Sequence, residues 1–271
     1  MTPLPMTLVV ITYNEAANIA RCLDSVPFVA EKVVVDSGST DNTREIAIAH
    51  GARVVEQPWL GFGPQRNFAA SQASHDWIIA LDADEFLMPE LVAECQKRLP
   101  EIMRSDAAAV RLRLITWYMG APLRWYRSLN PEYKARIYHR GRARWTETRV
   151  HECLDFNGPA PRLRAPFGHR NNPTLVHKQL KVLRYAELKA LDWYERRRSA
   201  AMWALPFVFI AAFLKDYILR LACFDGWRGL VLSQTAASYA VYKRMRYYEM
   251  LQDRQTIEEA RAALNKHGIE R

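Results

Sequence analysis

The sequence predicts an α/β protein: a mostly parallel sheet of Rossmann type, flanked by helices and followed by a C-terminal helical unit. Three observations carry this. Short apolar runs rich in β-branched residues recur at Thr7–Thr12, Lys32–Asp36, Val54–Val55 and Trp77–Asp82. Helical patterns separate these runs, and strands alternating with helices at such spacing build parallel sheets. From Leu175 onward the apolar residues recur at helical spacing instead.

The elements follow in order. Thr7–Thr12 is a buried first strand. Asn14 is a fair N-cap, and Ile19, Leu23 and Val26 mark a helix that Pro27 ends. Lys32–Asp36 is a second strand closed by an acid. It enters the polar turn Ser37-Gly38-Ser39-Thr40-Asp41, then a helix over Asn42–His50 with Gly51 just past its end. Val54-Val55 is a third strand. Gly61-Phe62-Gly63-Pro64 reads as a loop before a helix over Gln65–Ala73, whose first amides, with Arg66, suit a diphosphate. Trp77–Asp82 is the fourth strand, and Pro89–Leu99 a helix with proline near its first position.

Beyond it, Ala107–Trp117 alternates as a half-exposed antiparallel strand does. Tyr133–His139 and Arg142–Trp145 suggest a hairpin around Arg140-Gly141. Arg149–Leu154 is a short strand carrying His151 and Glu152. Pro159, Pro161 and Pro166 mark an irregular stretch ending at His169. The domain boundary is expected near residue 172, giving units 1–172 and 173–271.

At 271 residues and 49% hydrophobic the chain is globular. Cys22, Cys95, Cys153 and Cys223 are scattered, so neither a zinc site nor a disulfide framework is expected, and reduced cytosolic thiols account for them. Met1–Met6 lacks a basic stretch, and no signal peptide is expected. The net charge of +9 is uneven: residues 1–100 hold 7 Lys/Arg against 13 Asp/Glu, residues 101–271 hold 31 against 16. A basic half meets an anionic partner: nucleic acid, anionic lipid or a phosphorylated glycolipid. No helix-turn-helix spacing, RNA-recognition motif or zinc pattern supports nucleic acid.

The chemistry concentrates in Ile78–Glu85. The apolar strand breaks into Asp82, Asp84 and Glu85. In open α/β sheets the carboxyl edge is where ligands bind. Carboxylate oxygens there suit Mg²⁺ or Mn²⁺ held jointly with substrate phosphates.

Three segments, Val9–Glu15, Val35–Asp41 and Leu81–Glu85, resemble in order and spacing the N-terminal motifs of glycosyltransferase family 2, which has the GT-A fold. Trp59–Arg66, Val150-His151-Glu152 and Phe224–Gly229 narrow the resemblance to bacterial lipopolysaccharide inner-core β-1,4-glucosyltransferases, which transfer glucose to a core heptose. The resemblance implies a UDP-sugar donor, a lipid-anchored saccharide acceptor, a divalent cation and inversion at the sugar. It implies that Asp36 accepts a hydrogen bond from the uracil imide and that Thr12, Asn14 and Glu15 line the same pocket. Asp82 would reach the ribose or the metal, and Asp84 would coordinate the metal, with His169 completing its shell. A sugar hydroxyl needs a base to take its proton. Glu152 is the candidate and Asp155 the runner-up, and His151 would contact the acceptor. Relatives often place this acid in a Glu-Asp pair, which this chain lacks. The same chemistry on a polyprenyl phosphate or exopolysaccharide unit is the near alternative. An inactive membrane scaffold is a further one.

Ala200–Leu214 is the most apolar run, shorter than the roughly 17–25 residues that span a bilayer, and Pro206 interrupts it. Arg196-Arg197-Arg198 precede it, and Tyr217, Arg220, Trp227, Arg228, Tyr242, Lys243, Arg244, Arg246, Tyr247 and Tyr248 follow. Such a mixture suits a helix lying in the interface of an anionic leaflet. The expected location is therefore cytoplasmic, peripheral on the inner face of the membrane. An oligomer contact is the other use for this surface.

Overall fold

The computed structural model describes residues 3–146, 153–172, 174–197, 201–253 and 255–260. Two compact units emerge: Met1–Thr116 with Pro131–Arg170, and Trp117–Asn130 with Asn171–Arg271. Residues 117–130, expected in the first unit, belong to the second.

In chain order the elements begin with β1 (Leu4–Thr12), α1 (Ile19–Asp24), β2 (Val29–Asp36), α2 (Thr43–Ala49), β3 (Arg53–Glu56) and α3 (Phe62–Ser71). Next come β4 (Trp77–Asp82), β5 (Glu85–Leu87), α4 (Pro89–Ile102), β6 (Ala109–Tyr118) and the two-residue β7 (Ala121–Pro122). β8 (Tyr133–His139), β9 (Ala143–Trp145), β10 (Leu154–Phe156) and β11 (Arg162–Asn172) complete the strands. Among the described residues α5 (Leu175–Glu195), α6 (Leu205–Leu214) and α7 (Gly226–Gln252) follow, and residues 255–260 are also helical.

The sheet runs β3-β2-β1-β4-β8-β6-β11-β5. β3, β2, β1 and β4 are parallel. β8 pairs antiparallel with both β4 and β6, and β11 with β5. Alternation along β1 explains the core. Met6, Leu8 and Val10 pack with Leu23 of α1 and Leu91 of α4, while Val9 and Ile11 pack with Ala69 and Ala70 of α3. A strand buried on both faces reads as an unbroken apolar run, which is how it showed in the sequence. Register sets the functional edge: Thr12 lies opposite Asp36, and Ile11 opposite Asp82.

Several expectations are corrected. Asn14 is not an N-cap. It is left-handed (φ 53°), and α1 starts at Ile19. α3 begins at Phe62, so Gly63 and Pro64 form its first turn, where proline's missing N–H is tolerated. β8 and β9 make no hairpin, because both edges of β8 are taken by β4 and β6; β9 pairs with β10. The proline-marked stretch contains a strand, β11. Pro166 lies within β11, one residue before the positions that pair with β5, where Phe167 stands opposite Leu87.

In the second unit α5 and α7 pack through Leu191, Trp193, Tyr247 and Met250. Phe224–Gly229 organises the start of α7. A Cβ on Gly229 would sit 1.7 Å from the Ala222 carbonyl oxygen, so only glycine allows that approach. Arg228 Nε donates to the Met119 carbonyl (3.2 Å).

Candidate active site

The loops after β1 and β2 are sewn together at the carboxyl edge. The Asn14 amide donates to Ser39 Oγ (2.8 Å), the Glu15 amide to Thr43 Oγ1 (2.8 Å) and the Ala16 amide to Asp41 (3.2 Å). Asn14 Oδ1 accepts from the Thr40 amide (2.8 Å). Asp36, wholly buried, accepts from the Gly38 amide (3.0 Å), the Ser39 amide (2.8 Å) and the Ser39 hydroxyl. Its carboxylate therefore builds the turn, with one of about four lone-pair positions left. The Thr12 hydroxyl is buried with no hydrogen-bond partner. Burial raises the Glu15 carboxyl above its usual range; Asn18 offsets this in part, and the nearby Asp84, Asp41 and Asp82 raise it further.

At the end of β4 the acids divide into two sets. Asp82 accepts from Arg66 Nη2 (2.6 Å) through one oxygen and from Arg136 Nη2 (3.1 Å) through the other. Burial would raise its pKa, but the two guanidiniums outweigh burial and hold it far below the carboxylate range. Glu85, 1% exposed, accepts from Arg136 (2.5 Å) and from the Asp82 amide (3.1 Å). Burial and the adjacent Asp82 push its carboxyl up against the pull of Arg136. Arg136 is itself buried and held protonated by these acids. Arg66 is no surface arginine. It is buried, lies 4.6 Å from the Trp145 ring, and comes from a helix locked to β9 by Asn67 Oδ1 and Nδ2 bonding the Trp145 backbone (3.0 and 2.9 Å).

Among the described residues the second set has no arginine on it, and its side chains are about as exposed as that of Asp82, at 29%. Asp84 Oδ2 and His169 Nε2 lie 3.1 Å apart, with side chains 22% and 25% exposed. The β11–β5 register puts His169 opposite Glu85, and the Arg170 amide donates to the Asp84 carbonyl (2.9 Å). Burial lowers the His169 pKa, but the hydrogen bond to Asp84 and the charges of Asp84, Glu85 and Asp82 raise it overall. A Cβ on the adjacent Gly168 would come within 2.4 Å of the Phe86 ring, so a larger residue there would require that ring to move.

The expected ligand trio is thus not assembled, since Asp82 is engaged by arginines. Among the described residues no three His, Cys, Asp or Glu side chains converge. Asp84 and His169 still fit a divalent cation, as one oxygen and one nitrogen donor whose remaining positions phosphate oxygens and water would fill. His151 and Glu152, the expected acceptor contact and base, lie outside the described residues. Asp155 is exposed, on β10. Arg136 was missed by sequence reasoning. Its only signal was a charge inside an apolar strand, Ala135-Arg136-Ile137-Tyr138. A cleft of about 560 Å³ lined by His75, Trp77, Arg104 and His139 opens at the amino end of β4, away from these acids.

The family model for Glycosyl transferase family 2 matches residues 7–159, more than half of the chain. The chain belongs to glycosyltransferase family 2. An uncharacterised glycosyltransferase of Rickettsia prowazekii is 30% identical over 82% of this chain and 79% of its own. A lipopolysaccharide core biosynthesis glycosyltransferase of Rhizobium meliloti is 28% identical over 91% of this chain and 93% of its own. A solved structure of glucosyl-3-phosphoglycerate synthase from Mycobacterium tuberculosis, in complex with Mn²⁺, UDP and glucosyl-3-phosphoglycerate, aligns at 28% identity and a TM-score of 0.33. It covers 42% of this chain and 44% of that one, a likeness too partial to carry a functional argument. The family 2 segment takes in every candidate residue described above except His169, which β11 brings to the same edge.

Proposed function

We propose that this glycosyltransferase moves a hexose, glucose, from a UDP-sugar to a heptose of the lipopolysaccharide inner core, with a divalent cation and inversion at the anomeric carbon. One observation carries the reading: the partly exposed Asp84–His169 pair at the carboxyl edge, beside the tied loops of β1 and β2. The near full-length likeness to a lipopolysaccharide core glycosyltransferase supports the acceptor class.

The roles follow from the chemistry of each group. Asp36 takes the uracil imide through its remaining lone pair, and the unpartnered Thr12 hydroxyl, Asn14 and Glu15 line the nucleotide. Asp82, fixed by Arg66 and Arg136, presents its edge to the ribose. Asp84 and His169 hold Mg²⁺ or Mn²⁺, which when bound supplies positive charge to the departing diphosphate. Glu152 takes the acceptor hydroxyl proton, the oxygen attacks the anomeric carbon, and UDP departs. His151 contacts the acceptor. The lipid-anchored substrate places the enzyme on the inner face of the cytoplasmic membrane, peripherally bound.

The test is UDP release from a panel of UDP-sugars with truncated lipopolysaccharide as acceptor, in Mn²⁺ or EDTA. Acceptor-dependent, EDTA-sensitive release from UDP-glucose is expected. Release that requires a polyprenyl phosphate would replace the acceptor. A protein that does not bind UDP would overturn the nucleotide reading altogether.

A further inference from the structure

The second unit carries the whole formal charge of the protein. It holds 19 Lys/Arg and 10 Asp/Glu, a balance of +9, while the first unit has 19 of each. The same unit displays Met202–Leu219, 18 residues with a mean hydropathy of 1.6, of which 6% are buried. Within it Trp203, Phe207, Ile210, Leu214 and Ile218 recur at the spacing of one helical face. Their exposures are 77%, 66%, 54%, 42% and 52%. A soluble monomer rarely leaves such a stripe to water.

The stretch is built to lie along a surface. A 3-10 turn (Met202–Ala204) leads into α6, which packs on α7 and passes into a π turn (Lys215–Leu219). That turn hides the one acid. Asp216 is 2% exposed and pairs with Arg220 at 2.6 Å, while Ile218 and Leu219 face outward. Exposed cations flank the stripe: Arg196 and Arg197 before it, Lys215 at its end. The loop 123–130 is tied to the turn before α7 and carries a further exposed aromatic, Trp125. Asp225 accepts from the Trp125 and Tyr126 amides (3.1 and 2.7 Å), and the exposed Trp125 ring lies 5.6 Å from that of Phe224.

At 18 residues the stretch is long and apolar enough to cross a membrane by length and composition, which the shorter run read from the sequence was not. Its helix, however, is broken by a 3-10 turn and a π turn, holds Lys215 and Asp216 and packs on α7. We infer instead that this face of the second unit seats in the headgroup region of an anionic bilayer, with α6 in the membrane plane. The stripe enters the acyl boundary, and the cations meet anionic headgroups. A second copy is the poorer occupant, because it would bring two units of +9 together. The inference rests on the peripheral-membrane part of the proposed function and deepens it by naming the surface and the lipid charge.

The experiment uses the full chain with sedimented vesicles of phosphatidylcholine alone or with roughly 30% phosphatidylglycerol, at low and high salt. Binding to the anionic vesicles is expected. The double variant F207S/I210S, changed only at exposed positions, should weaken it roughly tenfold or more while UDP binding is unchanged. Alkaline carbonate should release the wild type from membranes. Equal vesicle binding by the variant, binding to neither vesicle, or retention after carbonate overturns the inference. So does a dimer that the variant abolishes, since a second copy would then cover the face. Vesicle binding without sugar transfer would remove the enzymatic reading and leave this surface standing. Transfer to a soluble core fragment without vesicle binding would do the reverse.

Discussion

Arg136 is where the structure makes its sharpest demand. It is a buried cation shared by two acids, at 2.5 Å from Glu85 and 3.1 Å from Asp82. Replacing it by methionine keeps the apolar stem and removes the charge. Asp82 retains Arg66, but Glu85, 1% exposed, loses its cation. Removing one partner of a buried ion pair costs about 3–5 kcal/mol. Glu85 can escape only by taking up a proton, toward which burial already pushes it. In Arg136→Met its folded pKa therefore rises further above the unfolded value. The folded state then binds more protons than the unfolded state, so stability falls as pH rises through that folded pKa. The variant should be closer to wild type at pH 5 than at pH 8. The double variant R136M/E85Q removes the orphaned charge and should recover about 2 kcal/mol of the loss at pH 8. Urea titration checks this, with hydrogen exchange of the Ile78–Leu81 amides reading the unit that carries the change. If the single and double variants are equally stable at pH 8, or the single variant is indifferent to pH, Arg136 does not balance Glu85.

Three further outcomes are expected. Asp84→Asn and His169→Ala should each weaken Mn²⁺ binding to the UDP-bound protein at least tenfold with the fold retained; calorimetric affinity equal to wild type would remove both from the cation site. Glu31 is held down at about 2, because the Ser74 amide, the Thr7 hydroxyl, Arg53 and the Ser74 hydroxyl together outweigh burial. Its stabilisation is present above the unfolded carboxylate range and lost as pH falls through about 2. Glu31→Gln should thus lose about 2 kcal/mol at pH 7, and denaturation curves that coincide with wild type would contradict it. Gly229→Ala must displace the Ala222 carbonyl and should cost the second unit more than about 3 kcal/mol. Limited proteolysis would reveal cleavage in α7, whereas a wild-type digestion pattern would mean the close approach is not needed.

Much of the first unit was legible because its physics is local. β1, β2 and β4 are buried on both faces, so they stand out as apolar runs, and their closing acids mark the ligand edge without any long-range information. Asp36, Asp82 and Asp84 could be singled out on that ground; the Asn14-Glu15 turn stood out only through the family resemblance, since on the residues alone Asn14 reads as an N-cap. Unit membership of 117–130 was not legible. It depends on Asp225 accepting two amides about a hundred residues earlier in the chain. The strand across Pro166 was equally hidden, because the prolines of this stretch read as breakers in the sequence.

The site divides in the same way. The sequence by itself determined which acids reach the sheet edge and that a basic, apolar C-terminal unit follows, because periodicity and charge need no partner to be read. Only the tertiary structure decided how the acids are used. Arg66 and Arg136, from α3 and β8, hold both oxygens of the partly exposed Asp82 and leave Glu85 as the buried acid beside it. β11 delivers His169 to Asp84. Whether a carboxylate is a ligand, a turn builder or an ion-pair partner depends on which donors arrive within about 3 Å, and those donors come from strands distant in sequence.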